Sequence, residues 1–130
     1  MCGPSTFTSL TDVHCRLGDA SLVDDCNALI ADPEALDGGG FWGYTQQGTL
    51  TVASHGTCTF HIEKKAGSYE FGIGTQDIID VVKSAMGMPG IPEECNGKKA
   101  MAVTGEMSCE HKGDTVDTVW WIEGPYDQCD

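Results

Sequence analysis

Apolar residues recur along this chain in two rhythms. Leu22, Val23, Cys26, Leu29 and Ile30 stand at i, i+1, i+4, i+7 and i+8, one stripe of a helix over residues 21–31. Asp19 or Ser21 can cap that helix, and Asp24 and Asp25 fall in its first turn, where the helix dipole favours anions. A second stripe of Ile78, Ile79, Val82, Ala85 and Met86 predicts a helix over 75–86. Thr75 suits its cap, Asp77 its first turn, and Gly87 and Pro89 its end. Pro33 bars simple continuation of the first helix, and Gly38-Gly39-Gly40 is a flexible break.

Elsewhere the period is two. Residues 41–45 and 49–54 flank Gln46-Gln47-Gly48 and read as a hairpin. Over residues 57–63, Cys58, Phe60 and Ile62 share one face, while Thr57, Thr59, His61 and Glu63 share the other. Residues 64–68 read as a turn into Tyr69, Phe71 and Ile73, a second hairpin with one wet face. His55-Gly56 reads as a turn. Residues 88–98, with Pro89, Pro92, Cys95 and Asn96-Gly97, read as a long loop. Met101, Val103, Met107 and Cys109 share parity in a strand over 99–109. The last strand, 116–123, sends Trp120 and Trp121 to opposite faces. Residues 1–20 read as irregular, and residues 124–130 as a polar tail broken by Tyr126. Two amphipathic helices and a half-wet antiparallel sheet bury their apolar faces against each other. The expected class is α+β, a two-layer α/β sandwich.

Composition narrows this further. The chain has 130 residues, which suits a single domain over 1–130, and 40% of them are apolar, enough for a real core. No run approaches a membrane span. Twenty acids against seven bases give a net charge of -13, which argues against nucleic acid or an anionic membrane as partner. The cysteines are Cys2, Cys15, Cys26, Cys58, Cys95, Cys109 and Cys129, with no C-x-x-C among them. Scattered cysteines in a small acidic chain point to disulfides and an oxidising compartment. The opening Met1-Cys2-Gly3-Pro4 reads as a mature chain with an added initiator Met, and no N-glycosylation sequon is present. Seven is odd, so one cysteine is free or pairs outside the chain. Cys26 lies on the stripe of the first helix, and Cys58 and Cys109 lie on apolar strand faces. Either can reach Cys26, and the spacing leaves the choice open.

Little in the pattern suggests catalysis. Cys58, His61, Cys109 and His111 can be imagined as a zinc set, but Cys58 and His61 have opposite parity and point to opposite faces. A Cys–His nucleophile pair needs a thiolate, which oxidised cysteines do not supply. Asp24-Asp25 and Glu93-Glu94 read as a solvated helix end and a loop rather than hydrolytic carboxylate pairs. Gly72 and Gly74 make no phosphate loop. Neither a catalytic residue, a metal ligand nor a cofactor site is expected. One of Trp120 and Trp121 should be core and the other exposed, and exposed aromatics often mark binding. Lys64-Lys65 and Lys98-Lys99 are the densest bases and read as a turn and a strand start. Trp120, Trp121, Lys64 and Lys65 are the candidate binding residues.

Five strings in order carry a resemblance. They are Cys2-Gly3-Pro4-Ser5-Thr6-Phe7, Ser21-Leu22-Val23-Asp24-Asp25-Cys26, Gly56-Thr57-Cys58-Thr59-Phe60, Gly74-Thr75-Gln76-Asp77-Ile78-Ile79-Asp80 and Thr104-Gly105-Glu106-Met107-Ser108-Cys109. Over roughly residues 2–109 the chain resembles the necrosis-inducing-factor domain of fungal secreted effectors. Some members are small secreted proteins and others are fused to chitinases. The resemblance implies a fold similar to the fungal killer toxin of the fourth type, a disulfide-stabilised two-layer sandwich. It favours Cys26–Cys58 and Cys2–Cys109 as pairs, and leaves Cys15, Cys95 and Cys129 outside the pattern. It implies a non-enzymatic virulence factor, secreted to the apoplast, that binds a host plant protein or cell-surface component and induces plant cell death. The alternative it implies is a killer-toxin-like antifungal acting on competitors, with a basic loop directed at a channel.

Overall fold

The computed structural model describes residues 2–10, 20–31, 41–44, 49–65, 71–111 and 114–126. In chain order these form β1 (Thr8–Ser9), β2 (Ser21–Leu22), α1 (Val23–Ala31), β3 (Phe41–Tyr44), β4 (Leu50–His55), β5 (Cys58–Lys64), β6 (Phe71–Gly74), α2 (Thr75–Gly87), β7 (Glu93–Cys95), β8 (Lys98–Met101), β9 (Val103–His111) and β10 (Asp114–Glu123). A five-stranded sheet runs β1-β9-β10-β5-β4, a three-stranded one β2-β8-β7, and β3 pairs with β6. Every pairing is antiparallel. The α+β class and the packing of both helices on antiparallel sheet follow the expectation.

Strand alternation builds the core. Cys58, Phe60 and Ile62 of β5, Val116, Thr118, Trp120 and Ile122 of β10, and Val103, Met107 and Cys109 of β9 are buried on one face. Onto that face α1 turns Cys26 and Leu29, and α2 turns Ile78, Val81, Val82 and Ala85, in one continuous cluster. Among the described residues Trp120 is the largest wholly buried side chain. Its ring stacks on Phe60 at 5.8 Å and meets Phe7 edge-on at 5.5 Å. Its indole nitrogen donates to Ser5 Oγ at 2.7 Å, so the one polar atom of the ring is satisfied. Opposite Trp120 stands Gly105. A Cβ there would lie 2.6 Å from the Trp120 ring and 2.0 Å from the Thr6 carbonyl oxygen. The absent side chain is what lets the N-terminal segment and the indole share that space.

Two disulfides close the layers. Cys26–Cys58 joins α1 to β5 across 5.1 Å between Cα atoms, and Cys2–Cys109 ties the N-terminal segment to β9 across 4.0 Å. Beyond Cys2 the segment follows β9: Gly3 N–H donates to Ser108 O at 2.8 Å, Thr6 N–H to Glu106 O at 3.0 Å, and Leu10 N–H to Ala102 O at 2.8 Å. Cys95 is also disulfide-bonded, to a partner outside the described residues. Cys15 and Cys129 lie outside them too, as do Asp19, Pro33, Gly38-Gly39-Gly40, Gln46-Gln47-Gly48 and the end of the tail.

Several expectations need correction. Residues 41–44 do not pair with the strand that follows. Their partner is β6, in the register Phe41↔Gly74 to Tyr44↔Phe71. Nor does β5 form a hairpin with β6; it lies between β4 and β10. The hairpin that forms is β4–β5, closed by Gly56-Thr57 between the paired His55 and Cys58. Gly56 has φ 59 at the first turn position, which a two-residue hairpin turn requires and glycine supplies freely. That is the shortest closure open to β5, and it costs the least chain entropy. Residues 88–98 are not all loop, since Glu93–Cys95 pairs with Lys98–Met101. Asn96 at φ 53 and Gly97 at φ 82 form their turn, and Asn-Gly is the usual sequence of such turns. Residues 1–20 hold β1 and the bonded segment before it.

Both helix caps also differ. Ser21 belongs to β2, and its hydroxyl donates to Thr57 O at 2.9 Å. Gly74, not Thr75, is the cap of α2. The Asp77 carboxylate accepts from Gly74 N–H at 2.8 Å, so an acid inside the helix reaches back and satisfies the cap residue's own N–H.

Candidate functional site

The face of the five-stranded sheet opposite the core carries the alternate residues. One register line crosses all five strands: Thr51 of β4, His61 of β5, Trp121 of β10, Thr104 of β9 and Thr8 of β1. The next line holds Glu63, Val119 and Glu106. Flanking positions along β10 are Asp117 and Glu123. Trp121 is partly exposed here, while Trp120 beside it is 0% exposed.

Local interactions set the orientation of these groups. The His61 ring lies 5.7 Å from the Trp121 ring, and its Nδ1 is 3.0 Å from Thr51 Oγ1. Burial lowers the His61 pKa from its ordinary 6.5, and the charge of Glu123 only partly opposes that. The imidazole is therefore neutral at neutral pH. Thr104 Oγ1 donates to Trp120 O at 2.9 Å, and Ser108 Oγ to Asp117 Oδ1 at 2.9 Å. Lys65 forms an ion pair with Glu106 at 2.7 Å, with the side chains 47% and 53% exposed. That bond raises the Lys65 pKa. A hollow of about 350 Å³ lies beside Val119, bounded by Thr6, Thr8, Thr104, Gly105 and Glu106.

A second hollow, of about 300 Å³, lies under the N-terminal segment between Pro4, Phe7, Asp77, Val81 and Met107. Asp77 is engaged there already, since it accepts from Gly74 N–H and from Cys2 N–H at 3.3 Å. It closes the helix start and holds the segment.

The structure separates the candidates read from sequence. Trp121 and Lys65 sit on the open face. Trp120 is in the core, which removes it as a contact residue. Lys64 is 5% exposed and shares the buried parity of Cys58, Phe60 and Ile62, so it too leaves the surface. Cys58 and Cys109 are oxidised, so neither can serve as a thiolate ligand or nucleophile. Asp25 is no member of a carboxylate pair; it binds Thr57. The cysteines Cys2, Cys26, Cys58 and Cys109 are structural. Among the described residues no group of His, Cys, Asp and Glu is arranged to hold a metal ion. Sequence reading missed the company of Trp121. His61 and Glu63 were legible as wet-face residues of β5, but not that β5 would lie beside β10.

A profile of the Hce2 family, described as "pathogen effector; putative necrosis-inducing factor", matches residues 1–109. The chain belongs to this family. A secreted chitinase of Penicillium expansum, LysM12, is 32% identical to it over 119 residues. The match covers 90% of this chain and 8% of that protein, so the chain corresponds to a small part of the relative. The two described disulfides join the cysteines that the family resemblance paired, Cys26 with Cys58 and Cys2 with Cys109. No helix among the described residues is long and apolar enough to cross a membrane.

Proposed function

We propose that this Hce2 domain is a secreted fungal effector that binds a host component in the apoplast and induces plant cell death, without catalysing a reaction. Family membership, a secreted relative and disulfides suited to an oxidising compartment support secretion. Trp121 carries the binding reading. A large ring left partly exposed on a sheet face, beside a buried tryptophan on the next residue, is the kind of group that anchors interfaces. The chitinase activity in the relative's name belongs to a protein of which this chain spans 8%. We read this domain as a binding element and not as the part that cleaves chitin.

The killer-toxin-like alternative rests on a basic loop, which the exposed Lys98-Lys99 beside the Asn96-Gly97 turn can still offer but Lys64-Lys65 cannot. Lys64 is buried and Lys65 is engaged by Glu106. Infiltration of pure protein into leaves, beside a fungal growth assay, separates the two. The expected result is leaf necrosis that Trp121→Ala reduces, with fungal growth unchanged. Growth inhibition without a leaf response would transfer the function to competitors.

A further inference from the structure

We propose that the open face of the five-stranded sheet docks a basic segment of a partner protein, with an arginine or lysine cation seated against the Trp121 ring. This rests on the binding reading above and names the chemistry of the partner.

The face pairs an aromatic ring with negative charge. Glu63 of β5 and Glu106 of β9 lie diagonal to Trp121 on either side of β10, Glu123 stands two residues along β10 itself, and Asp117 lies further along the same face. Diagonal neighbours on one sheet face lie within reach of long side chains. Lys65 answers Glu106, and Asp117 accepts from Ser108, while no described hydrogen bond or ion pair engages Glu63 or Glu123. His61 adds no positive charge while it is neutral. A cation over an indole is attracted by the ring quadrupole, and carboxylates at the ring's rim add to that attraction. Arginine suits the place best, because its planar group stacks on a ring while its edge donates to carboxylates.

Charge complementarity extends beyond the face. At a net charge of -13 the chain repels anionic partners and draws basic ones at a distance. The carboxylates carry no donors, so they select a partner rich in N–H donors. The sheet face offers Val119 and Trp121 as apolar contacts between the acidic Asp117 and Glu123 along β10, so the segment that fits it presents apolar side chains beside its basic ones on the same face.

The test uses the full chain and a labelled arginine-rich peptide, with a glutamate-for-arginine peptide and a neutral glucose hexasaccharide beside it. Binding is followed by fluorescence anisotropy over a salt series, and by chemical-shift changes at the Trp121 indole N–H and the β5 and β10 amides. We expect the arginine peptide alone to bind, with affinity falling as salt rises. Trp121→Ala and the pair Glu63→Gln/Glu123→Gln should each weaken it about tenfold. The glutamine pair keeps the ring and the packing, so its effect does not depend on a fold change. Asp24→Asn/Glu94→Gln, at exposed positions off this face, should leave binding unchanged. Equal losses from both carboxylate pairs would reduce the effect to diffuse charge and overturn the proposal. Shifts confined to another face, or binding of the saccharide and not the peptide, would overturn it as well. If leaf necrosis depends on Trp121 but no basic peptide binds, the effector reading stands and this partner chemistry is wrong.

Discussion

Thr57 gives both of its donors to one oxygen of Asp25: its N–H at 2.8 Å and its hydroxyl at 2.6 Å reach the same carboxylate oxygen, Oδ2. The Thr57 hydroxyl also accepts from Leu22 N–H at 2.8 Å. One side chain thus binds the β4–β5 turn to the start of α1, next to the Cys26–Cys58 bond. Thr57→Val keeps the shape, removes the hydroxyl and leaves Leu22 N–H without its acceptor. We expect a loss of about 1–3 kcal/mol in urea unfolding, most of it recovered by Thr57→Ser. Unfolding midpoints equal to the wild type would show the contact to be incidental.

The same contact sets a pH dependence. The hydroxyl and then the amide of Thr57 lower the Asp25 pKa from its ordinary 3.8. A folded-state pKa below the unfolded one contributes stability that is present above the unfolded value. That stability is lost as pH falls through the folded value. Stability should therefore drop as acid passes below the ordinary carboxylate range. The drop should be shallower in Asp25→Asn, which has no charge to lose there. Urea unfolding in a series of acid buffers measures the difference between the two slopes.

Gly124 is packed as closely as Gly105. A Cβ on it would lie 1.7 Å from the Thr57 carbonyl oxygen and 3.2 Å from Ser21 Oγ. Backbone at that distance cannot move aside without opening the turn that holds Asp25. Gly124→Ala and Gly105→Ala should each cost about 1–3 kcal/mol or more by overpacking. Gly87→Ala, where a Cβ meets nothing within 4 Å, is the control and should cost little. Thermal melts of the three variants rank them directly.

These contacts explain which parts of the fold were legible. The helices were, because their stripes of Cys26 and Leu29, and of Ile78, Val82 and Ala85, repeat at the helical period whatever packs on them. Strand faces were legible for the same reason: Phe60, Ile62 and Met107 all lie where parity put them, and parity set Trp120 and Trp121 on opposite faces without saying which was inside. Strand partners were not. Residues 41–44 carry no mark of β6, some thirty residues on, because the period of two fixes a strand's faces and not its neighbour. The Asn96-Gly97 turn was readable, and Pro89 and Pro92 nearby drew it into a loop. At the candidate site, the odd parity of Trp121 was visible, while its neighbours depend on the β5–β10 register. Lys64 shows the limit of residue type as a guide, since its place on the buried face overrides its charge.

Removing a disulfide should cost more than removing any one hydrogen bond. Cys26–Cys58 closes a separation of 32 residues and Cys2–Cys109 one of 107. In the chain-entropy model these are worth about 4 and about 5 kcal/mol. Cys2→Ala/Cys109→Ala also frees the segment that carries Ser5 and Phe7 from β9. We expect each double variant to melt many degrees below the wild type, and reductant to lower the wild-type midpoint by more than either change alone. Equal melting with and without reductant would remove disulfides from the account of stability. Non-reducing peptide mapping should recover both pairs, and a peptide linking Cys26 to Cys109 would place α1 over the wrong strand.

The two adjacent tryptophans make the sharpest contrast. Trp120 fills the core against Phe60 and Phe7, and its removal leaves a cavity that the rigid sheet cannot collapse. Trp120→Ala should cost about 3–5 kcal/mol. It would also leave Ser5 Oγ without its donor. Trp121 contributes one cross-strand contact with His61 on the open face, an interaction of about 0.2–1 kcal/mol. Trp121→Ala should therefore fold with a midpoint close to the wild type, keep both disulfides, and lose acrylamide-accessible fluorescence that Trp120→Ala retains wherever it still folds. Chemical unfolding of both variants, read by far-ultraviolet circular dichroism, compares them on one scale. A Trp121→Ala loss as large as that of Trp120→Ala would mean that the ring stabilises the fold, and it would remove the exposed anchor on which the binding face depends.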